Sequence, residues 1–210
     1  MSSIRYALLS DGSSDRMLMP VLNWLLRSHC PKYALEPQWA DLGRLPQPPK
    51  KLPERIRKTL ELYDLDLLFI HRDAEKHSFE SRHREIETAL IGLTSPLAIC
   101  VIPVRMQEAW LLFDERAIRR AAGNPKGRMA LQLPPMGSLE YLANPKAFLY
   151  ALICEASGRS GTRLKKLKPQ KSAHLISELI DDFTPLNQLS AFRALEQELS
   201  GVVRDAGWDA

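Results

Sequence analysis

The chain is poor in cysteine and aromatic residues and has no long apolar run. Its three cysteines in 210 residues, Cys30, Cys100 and Cys154, are widely spaced and match no zinc pattern. That predicts ordinary reduced thiols and excludes a disulfide-stapled scaffold. No stretch approaches the ~20 apolar residues that a membrane helix needs, so no membrane role is expected. The start, Met1-Ser-Ser-Ile-Arg-Tyr, lacks a secretory apolar region and runs directly into a strand-like segment. A cytoplasmic location is therefore expected. Internal repeats, zinc fingers, helix-pair DNA readers and RNA-binding sheet signatures are also missing.

What is present is a globular composition, 45% hydrophobic and 26% charged, in a length that suits one domain with an appendage. The net charge of +4 permits a polyanionic partner without demanding one. Apolar runs at Ile4–Leu9, Leu65–Ile70 and Leu97–Val104 read as buried strands, the last interrupted by Pro103. Between them, an apolar face at Met17, Leu18, Val21, Leu22, Leu25 and Leu26 predicts a first helix. Segments 54–63 and 79–91 predict two more. Residues 38–53 carry four prolines and read as a loop. After Gly123 turn signals multiply and no strand is expected, only helices near 147–155, 174–181 and 189–203. The fold class is thus α/β: a βαβαβ core over residues 1–122 with its parallel sheet flanked by helices, followed by a mainly helical, basic extension over 123–210.

Chemistry concentrates at strand ends. The first strand runs into Asp11-Gly12-Ser13-Ser14-Asp15, the second into His71-Arg72-Asp73-Ala74-Glu75, and a third carboxylate, Glu108, follows the third strand. Such strand ends are where an open α/β sheet places polar ligands. Gly12 lets the chain turn, and Ser13 or Ser14 can cap the helix that follows. The P-loop lysine and glycine spacing are absent. Asp73 offers hard oxygen ligands suited to Mg²⁺. His71, two residues away on the same side of an extended chain, offers a nitrogen suited to Mn²⁺ or a proton shuttle. Glu75 repeats the two-residue spacing. Arg72 and Arg105 are candidate neutralisers of this acidic cluster. Candidate metal ligands are therefore Asp11, Asp15, His71, Asp73, Glu75 and Glu108. Each has a structural alternative as a solvated loop acid beside basic neighbours. For Glu108 that alternative is an ion pair with Arg105, and Trp110 beside it reads as core.

A thirteen-residue window holds Arg159, Arg163, Lys165, Lys166, Lys168 and Lys171 among glycines and serines. It reads as a basic loop able to track a phosphate backbone, or as an ordinary solvated loop. Lys126 and Arg128 are candidates to join it.

Asp11-Gly12-Ser-Ser-Asp15 resembles the first TOPRIM motif, and His71-Arg-Asp73-Ala-Glu75 resembles the second, in which two aspartates flank one residue. Glu108-Ala-Trp-Leu-Leu is similar to a string in small bacterial TOPRIM-like proteins of uncharacterised function. The resemblance covers the first half of the chain by motif order. It implies a compact parallel α/β fold and phosphoryl transfer with Mg²⁺ or Mn²⁺. Two departures stand out: the usual glutamate is Asp11, and the first aspartate is His71.

Three functions follow as expectations. The first is a metal-dependent phosphodiesterase, a nuclease acting on DNA or RNA, with Asp11, His71 and Asp73 as catalytic groups. Gly12, Arg72, Arg105, Arg163, Lys165 and Lys166 would then contact substrate. The second is a non-catalytic nucleic-acid-binding or regulatory component of a phage-defence or mobile-element system, with a partner protein encoded nearby. The third is a small-molecule phosphohydrolase.

Overall fold

The computed structural model describes residues 2–93 and 96–209. Four strands, β1 (Ser3–Leu9), β2 (Ala34–Trp39), β3 (Leu67–His71) and β4 (Leu97–Val101), form one parallel sheet in the order β2-β1-β3-β4. The helices are α1 (Leu18–His29), α2 (Leu52–Leu62), α3 (Phe79–Leu90), α4 (Glu115–Ala121), α5 (Pro145–Ala156), α6 (Gly161–Lys165), α7 (Pro169–Leu179) and α8 (Ser190–Asp205). The expected class, a parallel α/β sheet flanked by helices with a helical C-terminal region, describes the molecule.

The central strands β1 and β3 are buried on both faces, as their nearly unbroken apolar sequences require. Alternate residues divide between two cores. Ala7, Leu9, Leu68, Ile70 and Cys100 face Ile56 of α2 and Ile86 of α3. Ile4, Tyr6, Leu8, Leu67, Phe69, Ile99 and Val101 face α1 and the helices of the C-terminal half. That second cluster runs on through Ile118, Leu149, Ile176 and Leu195, so residues after 123 complete the core under the sheet. Tyr6 packs edge-on against Phe69 at 5.7 Å, and Trp110, core as expected, does so against Phe192 at 5.4 Å.

Several expected boundaries shift. The sheet has a fourth strand, β2, where no strand was expected. Ala-Leu-Glu-Pro-Gln-Trp has no apolar run because it is an edge, and Pro37 is tolerated there. The third expected strand ends at Val101, two residues before Pro103. A 3₁₀ turn at Ser13–Met17 precedes α1, and Gly12 in extended conformation, rather than a serine, stands at its start. The proline-rich stretch contains a 3₁₀ turn at Leu42–Arg44. The basic loop contains the short helix α6.

The strand order also sets the position of the site. From β1 the chain crosses to β2 on one side, and from β3 it crosses to β4 on the other. The crevice between the C-terminal ends of β1 and β3 is therefore the topological switch point of the sheet.

Candidate functional site

Both acidic motifs leave the sheet at this crevice. Asp15 turns back on the end of β1: its N–H donates to the Gly12 carbonyl (3.2 Å), and its Oδ2 accepts the Gly12 N–H (2.9 Å). Its Oδ1 accepts the Ser14 hydroxyl (3.0 Å) and the Gln107 side-chain amide (2.7 Å). Asp15 is thus a buried acid, 5% exposed.

His71, the last residue of β3, is 2% exposed. Its Nε2 lies 3.2 Å from Asp73 Oδ1, which also accepts the Gln107 backbone N–H at 3.0 Å. Its Nδ1 faces Asp15 Oδ2 at 3.5 Å, an ion-pair contact longer than a normal hydrogen bond. Burial alone would push the imidazole pKa down. The two carboxylates outweigh it and raise it to about 9, so the ring is an imidazolium at neutral pH. Burial would raise the Asp15 carboxyl, but His71, Gly12 and Gln107 together hold it far below the usual carboxylate range.

The inner site is a linear array, carboxylate–imidazolium–carboxylate. Because the two ring nitrogens point in opposite directions, one ion bound to either nitrogen could not also be held by both carboxylates. Among the described residues, no group of His, Cys, Asp and Glu at this edge brings three ligand atoms within 4.8 Å of one another. As arranged, these side chains do not fit Mg²⁺ or Mn²⁺, and a protonated ring occupies the place of the cation.

Asp11 lies outside this array, with its side chain about half exposed. Arg55 and Arg72 each donate to its carboxylate, and Arg55 also donates to the Ser10 carbonyl. Arg72 continues to Glu85 (2.9 Å), which also binds Arg82 (2.7 Å), and Arg82 Nε donates to the Asp73 carbonyl (3.1 Å). Asp11, Lys50, Lys51, Arg55 and Arg72 line a cavity of about 390 Å³. A second, of about 660 Å³, is lined by Asp11, Gly12, Trp39, Arg44, Lys50 and Arg55. The surface around Asp11 is thus predominantly basic.

Glu108 is 1% exposed and pairs with Lys146, not with Arg105 (Nζ to Oε1, 3.1 Å). Burial pushes its carboxyl up, with Lys146 opposing and the nearby Asp73 charge adding. Arg105 turns through the left-handed region (φ 62°), as does Glu75 (φ 52°), and the Glu75 N–H donates to the Arg105 carbonyl at 3.0 Å. Two strained non-glycine residues thus hold each other beside the site. The Glu75 side chain is 59% exposed and lies 3.9 Å from Arg82.

The structure therefore brings together Asp15, His71 and Asp73, with Arg72 on Asp11 one layer out. Glu75 and Glu108 have other partners. Arg163 and Lys165 lie on α6 and Lys166 caps its end, and none of the three lines either cavity. Asn124 donates to the Ala156 carbonyl (2.9 Å), and a Cβ added at Gly123 would meet Arg159 at 3.1 Å. Arg159, at the start of the basic loop, thus packs against the 123–128 turn. Gln107, Arg55 and Lys146 are site residues that sequence reasoning missed. Only Gln107, adjacent to Glu108, carried a local signal.

Comparison with family models, with curated proteins and with solved structures finds no match to this chain.

Proposed function

We propose that the C-terminal edge of the sheet binds and processes phosphodiesters of nucleic acid, as the TOPRIM-like motifs imply. One observation carries the reading: both acidic motifs converge at the switch point between β1 and β3, under a basic rim of Arg55, Arg72, Lys50 and Lys51. Backbone phosphates suit that rim, since guanidinium groups meet phosphate oxygens in bidentate pairs. Asp73, its side chain 24% exposed, is the inner acid open to a reacting end. His71 is too buried to meet substrate and acts as a positioning residue that orients Asp73.

The TOPRIM-like motifs also imply Mg²⁺ or Mn²⁺, which Asp15, His71 and Asp73 as arranged do not fit. The test is cleavage of single- and double-stranded DNA and RNA in EDTA, Mg²⁺ or Mn²⁺. The expected result is cleavage that falls at least about a hundredfold in Asp73→Asn. Cleavage equal in wild type and Asp73→Asn would overturn the assignment.

A second reading, a non-catalytic nucleic-acid-binding component, is favoured by the imidazolium between the two inner carboxylates. Salt-sensitive binding lost in Arg72→Ala, without cleavage under any metal, selects it. Failure of both binding and cleavage removes nucleic acid as the ligand.

A further inference from the structure

At the outer edge of β4, one strand beyond the switch point, three side chains of unlike chemistry meet. His83 stands on α3, Cys100 on β4 and Glu198 on α8. One imidazole nitrogen, the thiol sulfur and one carboxylate oxygen all lie within 4.8 Å of one another. The helices belong to opposite layers: Ile86 of α3 packs in one core, and Leu195 and Leu199 of α8 pack in the other. The three groups therefore meet where the two layers touch around the edge strand.

Glu198 Oε1 accepts the Cys100 backbone N–H at 3.1 Å. That bond accounts for one carboxylate oxygen as a cap on an edge strand. It does not account for a thiol and an imidazole in the same place. A further observation concerns His83 itself. Glu87, one turn along α3, places Oε2 3.4 Å from His83 Nδ1. A carboxylate beside an imidazole nitrogen is a contact that can steady a ligating histidine. Burial pushes the Cys100 thiol up, and Glu198 and Glu87 push it further. Burial also raises the Glu198 carboxyl. Two carboxylates and a thiol thus face one imidazole.

We propose that His83, Cys100 and Glu198 bind a zinc ion that clips α3 to α8 across the edge of the sheet. One nitrogen, one sulfur and one oxygen ligand form a donor set suited to Zn²⁺, with water completing the tetrahedron. Glu87 orients His83 and is not a ligand. Small side-chain adjustments close the site, since ligand atoms must reach ~2.0–2.3 Å from the ion. His83, with its side chain 33% exposed, is free to make them. Binding exchanges the Cys100 S–H bond for a metal–sulfur bond, and the proton passes to solvent. The site does not depend on the phosphodiester reading.

The full chain, stripped with EDTA, is titrated with Co²⁺ and then with Zn²⁺. One equivalent of Co²⁺ is expected to give a thiolate-to-cobalt charge-transfer absorption that Zn²⁺ abolishes, and Zn²⁺ alone is expected to raise Tm. Cys100→Ser and His83→Ala should each lose the absorption, and Glu87→Gln should weaken Co²⁺ binding about tenfold. Because His83 is partly exposed, His83→Ala keeps the test valid should Cys100→Ser fail to fold. Asp73→Asn should retain the absorption. An absent band in wild type, or a band that persists in Cys100→Ser through Cys30 or Cys154, overturns the proposal.

Discussion

Two layers of acid lie at the same strand ends, and they are neutralised in different ways. The inner layer, Asp15 and Asp73, is satisfied by a buried imidazolium and by Gln107, which donates to both carboxylates. The outer layer, Asp11, is satisfied by two arginines at the rim of open cavities. Inside, removing a partner strands a charge in a medium that solvates it poorly. Outside, water reaches the half-exposed Asp11 carboxylate and replaces part of what is lost. Similar carboxylates therefore carry very different energetic weight, and under the proposed function it is the outer arginines that would exchange Asp11 for a phosphate.

The contrast can be broken most forcefully at its centre. His71→Ala leaves Asp15 and Asp73 without their shared cation and should cost about 3–5 kcal/mol of stability, read from urea unfolding. A cost below about 1 kcal/mol would show that the inner layer behaves like the outer one. The pH dependence sharpens the same point. The His71 pKa is raised from 6.5 to about 9 in the folded state, so its contribution is complete below about 6.5 and disappears as pH rises through about 9. The Asp15 pKa is lowered from its ordinary 3.8, so the same interaction, seen from its partner, is complete above that value and fades as pH falls further. The pair should give a stability plateau between about pH 4 and 6.5, with roughly 3 kcal/mol lost on the alkaline side. His71→Gln should abolish the alkaline slope in a denaturant series taken between pH 6 and 10.

Lys146→Met tests a buried acid whose cation is partly exposed. Stranding Glu108 should cost about 1–3 kcal/mol, and adding Glu108→Gln should recover much of it in a double-mutant cycle. The smallest stability effect belongs to the rim: Asp11→Asn should change unfolding by less than about 1 kcal/mol. It should also strengthen binding of a DNA oligonucleotide, measured by fluorescence anisotropy, because Arg55 and Arg72 are freed from a competing carboxylate.

Much of the frame was legible in the sequence. Strands β1 and β3 declared themselves as apolar runs, and the motifs at their ends fell at the switch point because central parallel strands must be apolar on both faces. Strand β2 was hidden because an edge strand need not be apolar and tolerates Pro37. At the site, the acids were legible but their partners were not. Gln107 meets Asp15 from 92 residues away, and Arg55 meets Asp11 from 44. Lys146 sat in an Asn-Pro-Lys turn signal that says only where α5 starts. The expected convergence of Asp11 with His71 and Asp73 failed for a physical reason. Asp11 lies on the solvent side of the turn within reach of two guanidiniums, while Asp15 is drawn inward by the Gly12 N–H and by Gln107.

The two rims of the sheet bear on how copies of this chain could associate. Pro37 removes a donor from the outer side of β2, and on the far side Glu198 already occupies the Cys100 amide of β4. Both borders are thereby poor templates for an incoming strand, which protects the chain from edge-to-edge aggregation. A stable pair of molecules would be built through helix surfaces or loops, not by extending the sheet into a continuous eight-stranded one.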